Sequence, residues 1–535
     1  MPAVFRPPPH SRAPQLHAAA EKFFRATWEL APQDAAELGL RAYRGRLGPN
    51  TPGSHRRRIR LIEQTLPQIE ALPPGSGDDW TDRRAFLAYL RTGLFFHRDQ
   101  PRWELDPQTH SGTAVNAVFH LLVRHAEDLR AVAPDILSLL AEIPRFLDEG
   151  RACLRRPVPL WTKLAVRSST HAATFLEQTA AQIVPLVRSP ARAKRLFAEA
   201  VEAFRTYARR LEKIPTGPAN GFAVGRANFE FLLRERMGTD AAAAELLAEG
   251  RRLVDSVSAE LTREARKFGR RPAHETIERL RDEWQPSAGD LLTEYRNVTA
   301  QIKKHLGSAG LVGLPRGEKL KVIPVPDFLR EQFPTAAYSA PGPFDPDQTG
   351  IFWVNDLSKH ARNETGRRAE VAQHFGLELT CAHEAYPGHH LQFIVQNRHP
   401  SHLRRMFSHA IFYEGWTLWC EQLCIDKKIY RAPHARLIQL HDALWRAHRI
   451  LVDIGLHTGG MSHAAATRHM MENVGFTKAR AAADVNWYTA APTVPMSYLL
   501  GRQRVMALRA AHSGSLRQFN DWLLSHGAVP FDWFR

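Results

Sequence analysis

"TDAAAAELLAEGRRLVDSVSAEL", residues 239–261, decides the fold class. Leu246, Gly250, Leu253, Val257 and Leu261 recur at steps of three and four, the spacing of one face of an α-helix. Asp240 stands where an N-cap belongs. The same texture continues outward towards the N-terminus. "SPARAKRLFAEAVEAFRTYARRLEKI" (189–214) opens with Ser-Pro, a helix start, and stops before Pro215. From about residue 16 to 300 no stretch alternates as a strand would, and no unit repeats. The sequence therefore predicts a mainly α fold.

Towards the C-terminus the texture changes after Gly307. Residues 310–356 are dense in Gly and Pro and hold two strand-like runs, "LKVIPV" (320–325) and "GIFWVN" (350–355). Helical texture returns near 364, a Pro-rich loop lies around 489–497, and a final pair of helices follows. The predicted organisation is a disordered N-terminus (1–15), a helical lobe (16–306) and a second lobe (307–535). One continuous domain is also compatible with it. "GIFWVN" reads either as a core strand or as an edge strand that holds an extended peptide by backbone pairing, with Trp353 and Asn355 beside the substrate.

The 535 residues suffice for a large core, and 44% hydrophobic with 24% charged residues is ordinary for a globular protein. No apolar run approaches the roughly 20 residues needed to cross a bilayer. "MPAVFRPPPHSRAPQ" has no apolar stretch after its charges, so the expected location is cytoplasmic. The four cysteines are too few and scattered for a disulfide framework, and Cys420 and Cys424 read as small core residues. The net charge of +17 raises the question of nucleic acid. Its basic clusters, "HRRRIR" (55–60) and "ARAKR" (191–195), are short and lack interleaved aromatics, so neither nucleic acid nor membrane is an expected partner.

Chemistry concentrates in "CAHEAYPGHH" (381–390). His383 and Glu384 are adjacent, as on a zinc-protease helix, but Pro387 stands where the second histidine belongs. On a regular helix His389 would face away, and His390 would lie roughly 10.5 Å further along the axis. Zinc–nitrogen bonds of roughly 2 Å cannot span that gap. Pro387 and Gly388 supply the means to interrupt the helix, and a bulge over 385–388 would return one of the two histidines to the His383 face. Glu384 occupies the place of a general base. "FYEGWTLWCEQL" (412–423) sets Glu414 and Glu421 two turns apart on one face, one to complete a two-His, one-Glu zinc site and the other to orient a ligand histidine. Arg449, Asp453 and His457 form a stripe at steps of four. It is either a structural ion pair with a histidine or a contact for the substrate carboxylate or oxyanion.

"HEAYPGHHLQ", "YEGWTLWCEQL", "RILVDIGLH" and "FWVN" together resemble a large bacterial family, domain of unknown function 885, which in its motifs is similar to helical gluzincin metallopeptidases. The resemblance runs from about residue 220 to the C-terminus. It implies His389 rather than His390 as the second zinc ligand, Glu414 as the third, and Tyr498 as an oxyanion donor. It departs at "PTVPMSYLLG" (492–501), where Val494 and Leu499 replace an expected glutamine and lysine. The expected protein is a two-lobed helical zinc peptidase with a small β element before the active-site helix. Glu384 is its base, its substrate is a short peptide, and an arginine-rich cleft reads a free carboxylate. A homo-oligomer is compatible with this. The alternatives are a zinc hydrolase of a small non-peptide amide and a non-catalytic basic nucleic-acid-binding protein.

Overall fold

The structure is a computed structural model that describes residues 4–5, 7–333 and 335–534. The decisive stretch is a helix over Ala243–Ala265 that buries Leu246, Gly250, Leu253, Val257 and Leu261. It begins past Asp240 because Glu245 folds back to accept the backbone N–H of Ala242, which caps the first turn. This helix packs on Ala435–Thr458. At the crossing a Cβ on Gly250 would stand 2.8 Å from Ile450, so only glycine admits this approach. The chain is 69% helical, and among the described residues no helix is long and apolar enough to cross a membrane.

One three-stranded sheet interrupts the helices. β1 (Lys319–Pro324) runs parallel to β3 (Thr349–Val354), and β2 (Ala336–Ser339) pairs with β3 from the other side, antiparallel. β3 is buried along its whole length. Its side chains alternate between two cores: Phe352 and Val354 join the largest one, Ile351 and Trp353 the core of the N-terminal helices. Burying a side chain such as Phe352 contributes about 1.5–3 kcal/mol. The edge-strand reading of "GIFWVN" is therefore corrected, because β3 is paired on both sides and offers no free edge. The edges belong to β1 and to β2, the latter a four-residue strand too short to announce itself in the sequence.

The largest core crosses residue 306, joining Tyr295, Val298, Ile302 and Leu306 to Phe352 and Cys381. Within 1–15, residues 1–3 and 6 lie outside the described residues. Phe5 is buried and stacks on Phe24 and Trp28, so this part of the segment expected to be disordered is packed.

Candidate metal centre

The helix Leu377–Glu384 ends at Glu384 itself. Ala385 leaves helical geometry, the Tyr386–Pro387 peptide is cis, and a separate helix starts at His389 (His389–Gln396). The expected bulge within one helix is thus a break between two. Gly388 sits at the break, where a Cβ would lie 1.8 Å from the carbonyl oxygen of His383. No other residue fits there. Trp416 donates its indole N–H to Pro387 O at 2.9 Å and ties the turn to the helix Ala410–Asp426. The break brings the His383 and His389 rings to 4.9 Å, nearly perpendicular.

Glu414 and Glu421 come from Ala410–Asp426, both buried. Glu414 Oε2 lies 3.5 Å from His383 Nε2 and 3.8 Å from His389 Nε2, and it is buried without a hydrogen-bond partner. Zinc bonds of roughly 2.0–2.2 Å place tetrahedral ligand atoms about 3.3 Å apart. The spacing and the orphaned carboxylate oxygen therefore fit a zinc ion. Ligand atoms of His383, Glu384 and His389 also lie within 4.8 Å of one another. His383 Nδ1 meets Glu421 Oε1 at 2.9 Å, which turns Nε2 towards Glu414.

The electrostatics match a cation site. Burial would lower the His383 pKa, but the carboxylates of Glu414, Glu421 and Glu384 around it raise it to about 10. Three carboxylates thus draw positive charge to this point. Burial lowers His389 to about 4, leaving a neutral imidazole, the form that coordinates metal. Burial raises Glu384 to about 7 against the opposing charge of His383. Its Oε2 accepts the backbone N–H of Tyr338 at 3.2 Å, so the outer edge of β2 faces it. Burial would raise the Glu414 pKa, but His383, His389 and the neighbouring Tyr498 hold its carboxyl below the usual carboxylate range.

His390 goes elsewhere. Its Nε2 meets Glu318 at 2.9 Å and its Nδ1 meets the Tyr338 hydroxyl at 3.1 Å. Tyr386 and Lys303 also bond Glu318, each at 2.5 Å. Sequence reasoning missed Glu318, Tyr338 and Lys303. They lie up to 87 residues from His390 and carry no local motif.

His383, Glu384 and Glu421 border a cavity of about 840 Å³ that also exposes Asn355, Trp445 and Arg446. Asn355 donates its amide to Arg330 O and Phe333 O. Trp353 does not reach this cavity: it is fully buried and donates its indole N–H to Ser339. His457 is likewise corrected. It is fully buried, with Nε2 on the carbonyl of Tyr488 at 3.0 Å and its ring stacked on Phe229. Asp453 accepts the backbone N–H groups of Thr493 and Met496 and so seats the helix Val494–Ala511, which carries Tyr498. Only Arg449 of that stripe comes near, its guanidinium 4.7 Å from the centre of the Tyr498 ring.

Among solved structures the chain is similar to "a putative lipoprotein of unknown function from Shewanella oneidensis", at 18% identity and a TM-score of 0.77, covering 97% of this chain and 98% of that one. It is also similar to "the putative lipoprotein from Colwellia psychrerythraea", at 17% identity and a TM-score of 0.76, covering 98% of both chains. These likenesses establish the fold, and the lipoprotein descriptions overturn the expected cytoplasmic location. No curated protein matches the chain. The family model that matches extends well before residue 220, where the resemblance was read to begin, and takes in most of the N-terminal helices. Its span is residues 32–535, and the chain belongs to this family, described as bacterial protein of unknown function (DUF885).

Proposed function

We propose that this chain is a zinc-dependent hydrolase of amide bonds, acting on short peptides, with zinc held by His383, His389 and Glu414. The observation that carries the reading is the buried, unpartnered Glu414 Oε2 facing two imidazole nitrogens at 3.5 and 3.8 Å. Zinc, when bound, supplies Lewis-acid polarisation of a carbonyl and acidifies water. The chain does the rest. Glu384 has Oε2 held by Tyr338 and Oε1 left to take a proton from water and return it to the leaving nitrogen. Tyr498 is the hydroxyl at hand for a developing oxyanion. Glu421 fixes the orientation of His383.

A peptide is favoured over a small non-peptide amide by β2. Among the described strands it pairs with β3 alone, and its other edge lies at Glu384, where an extended chain can add as a further strand. The cavity volume also suits several residues. Elemental analysis of protein purified without chelators should find one zinc per chain, and short peptides should be cleaved by that protein. Absence of stoichiometric metal would remove the proposal.

A further inference from the structure

Arg446 and Arg449 lie three residues apart on Ala435–Thr458, and both are buried. Their guanidinium carbons stand 5.8 and 4.7 Å from the Tyr498 ring centre and 5.1 and 3.9 Å from that of Trp445. Nε and Nη1 of Arg446 and Nη1 of Arg449 are buried with no hydrogen-bond partner. Arg449 is anchored through Nε to the Tyr488 hydroxyl at 2.9 Å. Arg446 has two carboxylates near it, Asp442 at 3.4 Å from Nη1 and Glu421 at 3.9 Å from Nη2, and hydrogen-bonds neither. Other arginines, such as Arg102 and Arg502, also leave one buried donor unmet, but here three unmet donors on two neighbouring cations converge among aromatic faces.

The position of these donors matters. Arg446 lines the same cavity as His383 and Glu384. Glu421 Oε1 is 3.9 Å from Arg446 and 2.9 Å from His383, so one carboxylate separates the guanidinium from a candidate zinc ligand. Arg449 lies against Tyr498, which neighbours Glu414. Arg446 therefore flanks the place where a scissile amide would sit, with Arg449 beside it against Tyr498. A planar guanidinium matches a carboxylate with two parallel N–H bonds, which an ammonium does not.

We propose that Arg446 and Arg449 form the receptor for a substrate carboxylate, so that the site hydrolyses the amide bond next to a terminal residue with a free α-carboxyl. The substrate class is N-acyl amino acids and short peptides cleaved at their C-terminal bond. Water adds its hydroxyl to the acyl carbon, the C–N bond breaks, and the proton passes through Glu384 to the released amine. This inference rests on the hydrolase reading above, and its test separates the two.

N-benzoylglycyl-L-phenylalanine and its C-terminal amide are compared on the purified protein, by turnover on the wild type and by calorimetric binding to Glu384→Gln. The acid should exceed the amide by roughly tenfold or more in both kcat/KM and affinity, the value of hydrogen bonds to a charged group. In Arg446→Gln and Arg449→Gln, checked for folding by circular dichroism, the acid-to-amide ratio should fall towards one. Equal handling of acid and amide by the wild type, or binding of neither by Glu384→Gln, overturns the receptor whatever the variants do. Preferential binding of the acid without any turnover upholds the receptor and overturns the hydrolase.

Discussion

His389 and His390 are neighbours in the chain and opposites in their surroundings. His390 is enclosed by Glu318 and Tyr338, and its carboxylate partner is itself shared with Lys303 and Tyr386. Burial would raise the Glu318 pKa, but hydrogen bonds from His390, Lys303 and Tyr386 pull it down to about 2. His389 has a buried Nδ1 without a partner and faces a carboxylate oxygen equally unmet. A satisfied cluster holds a fold together, whereas an unsatisfied one beside the cavity-lining His383 and Glu384 calls for a further partner. Sequence counting alone makes the two histidines equal candidates, and hydrogen-bond accounting separates them.

The sharpest way to break this contrast is at Glu384. Glu384→Gln should keep its zinc and its fold and lose turnover by about 10²- to 10⁴-fold, the range for a removed general base. Near-normal kcat in the metal-loaded variant would take Glu384 out of the chemistry. Next come the two histidines. His389→Ala should lose stoichiometric zinc with little change in thermal stability. His390→Ala should keep zinc but lose about 3 kcal/mol on denaturant unfolding, because Glu318 stays buried and short of a partner. The reverse pattern would exchange their roles. Glu421→Gln should weaken zinc binding about 10- to 100-fold in a competitive chelator titration, since it orients His383 without touching the metal. The smallest effect belongs to Lys303→Met. Lys303 is 41% exposed, so water screens its pairing with Glu318 and the loss should not exceed about 1 kcal/mol, with zinc unchanged. A larger loss would mean that the closed cluster depends on its most exposed member.

Much of this is legible in the sequence. The spacing in 239–261 predicts a helix and its buried face, and the adjacent His383 and Glu384, joined to Gly388–His389 and Glu414, predict the cluster. What escaped was non-local. Glu318 and Tyr338 sit in a Gly- and Pro-rich stretch with no periodicity, and only the sheet register carries Tyr338 to His390 and Glu384. The stripe of Arg449, Asp453 and His457 shows why a helix face cannot be assigned from spacing alone. The surroundings of that face change within about two turns, so Arg449 lies near Tyr498 while His457 meets Phe229. The helices before residue 220 carry no chemical motif, which is why their membership in the family could not be read from them.

The contact at Gly388 has a consequence for motion. Its backbone is pressed against the carbonyls of Ala382 and His383, with no room for a single added carbon. The segments bearing the two histidines are therefore wedged together, and Trp416 pins the turn between them to the helix that carries Glu414. On the proposed reading, three donors on such a frame would surrender little conformational entropy to a cation, because their freedom was already lost when the chain folded. An ion demanding a larger coordination shell would have to prise the wedge apart, so the backbone at one glycine would then bear on which metal fits as well as on the shape of the site.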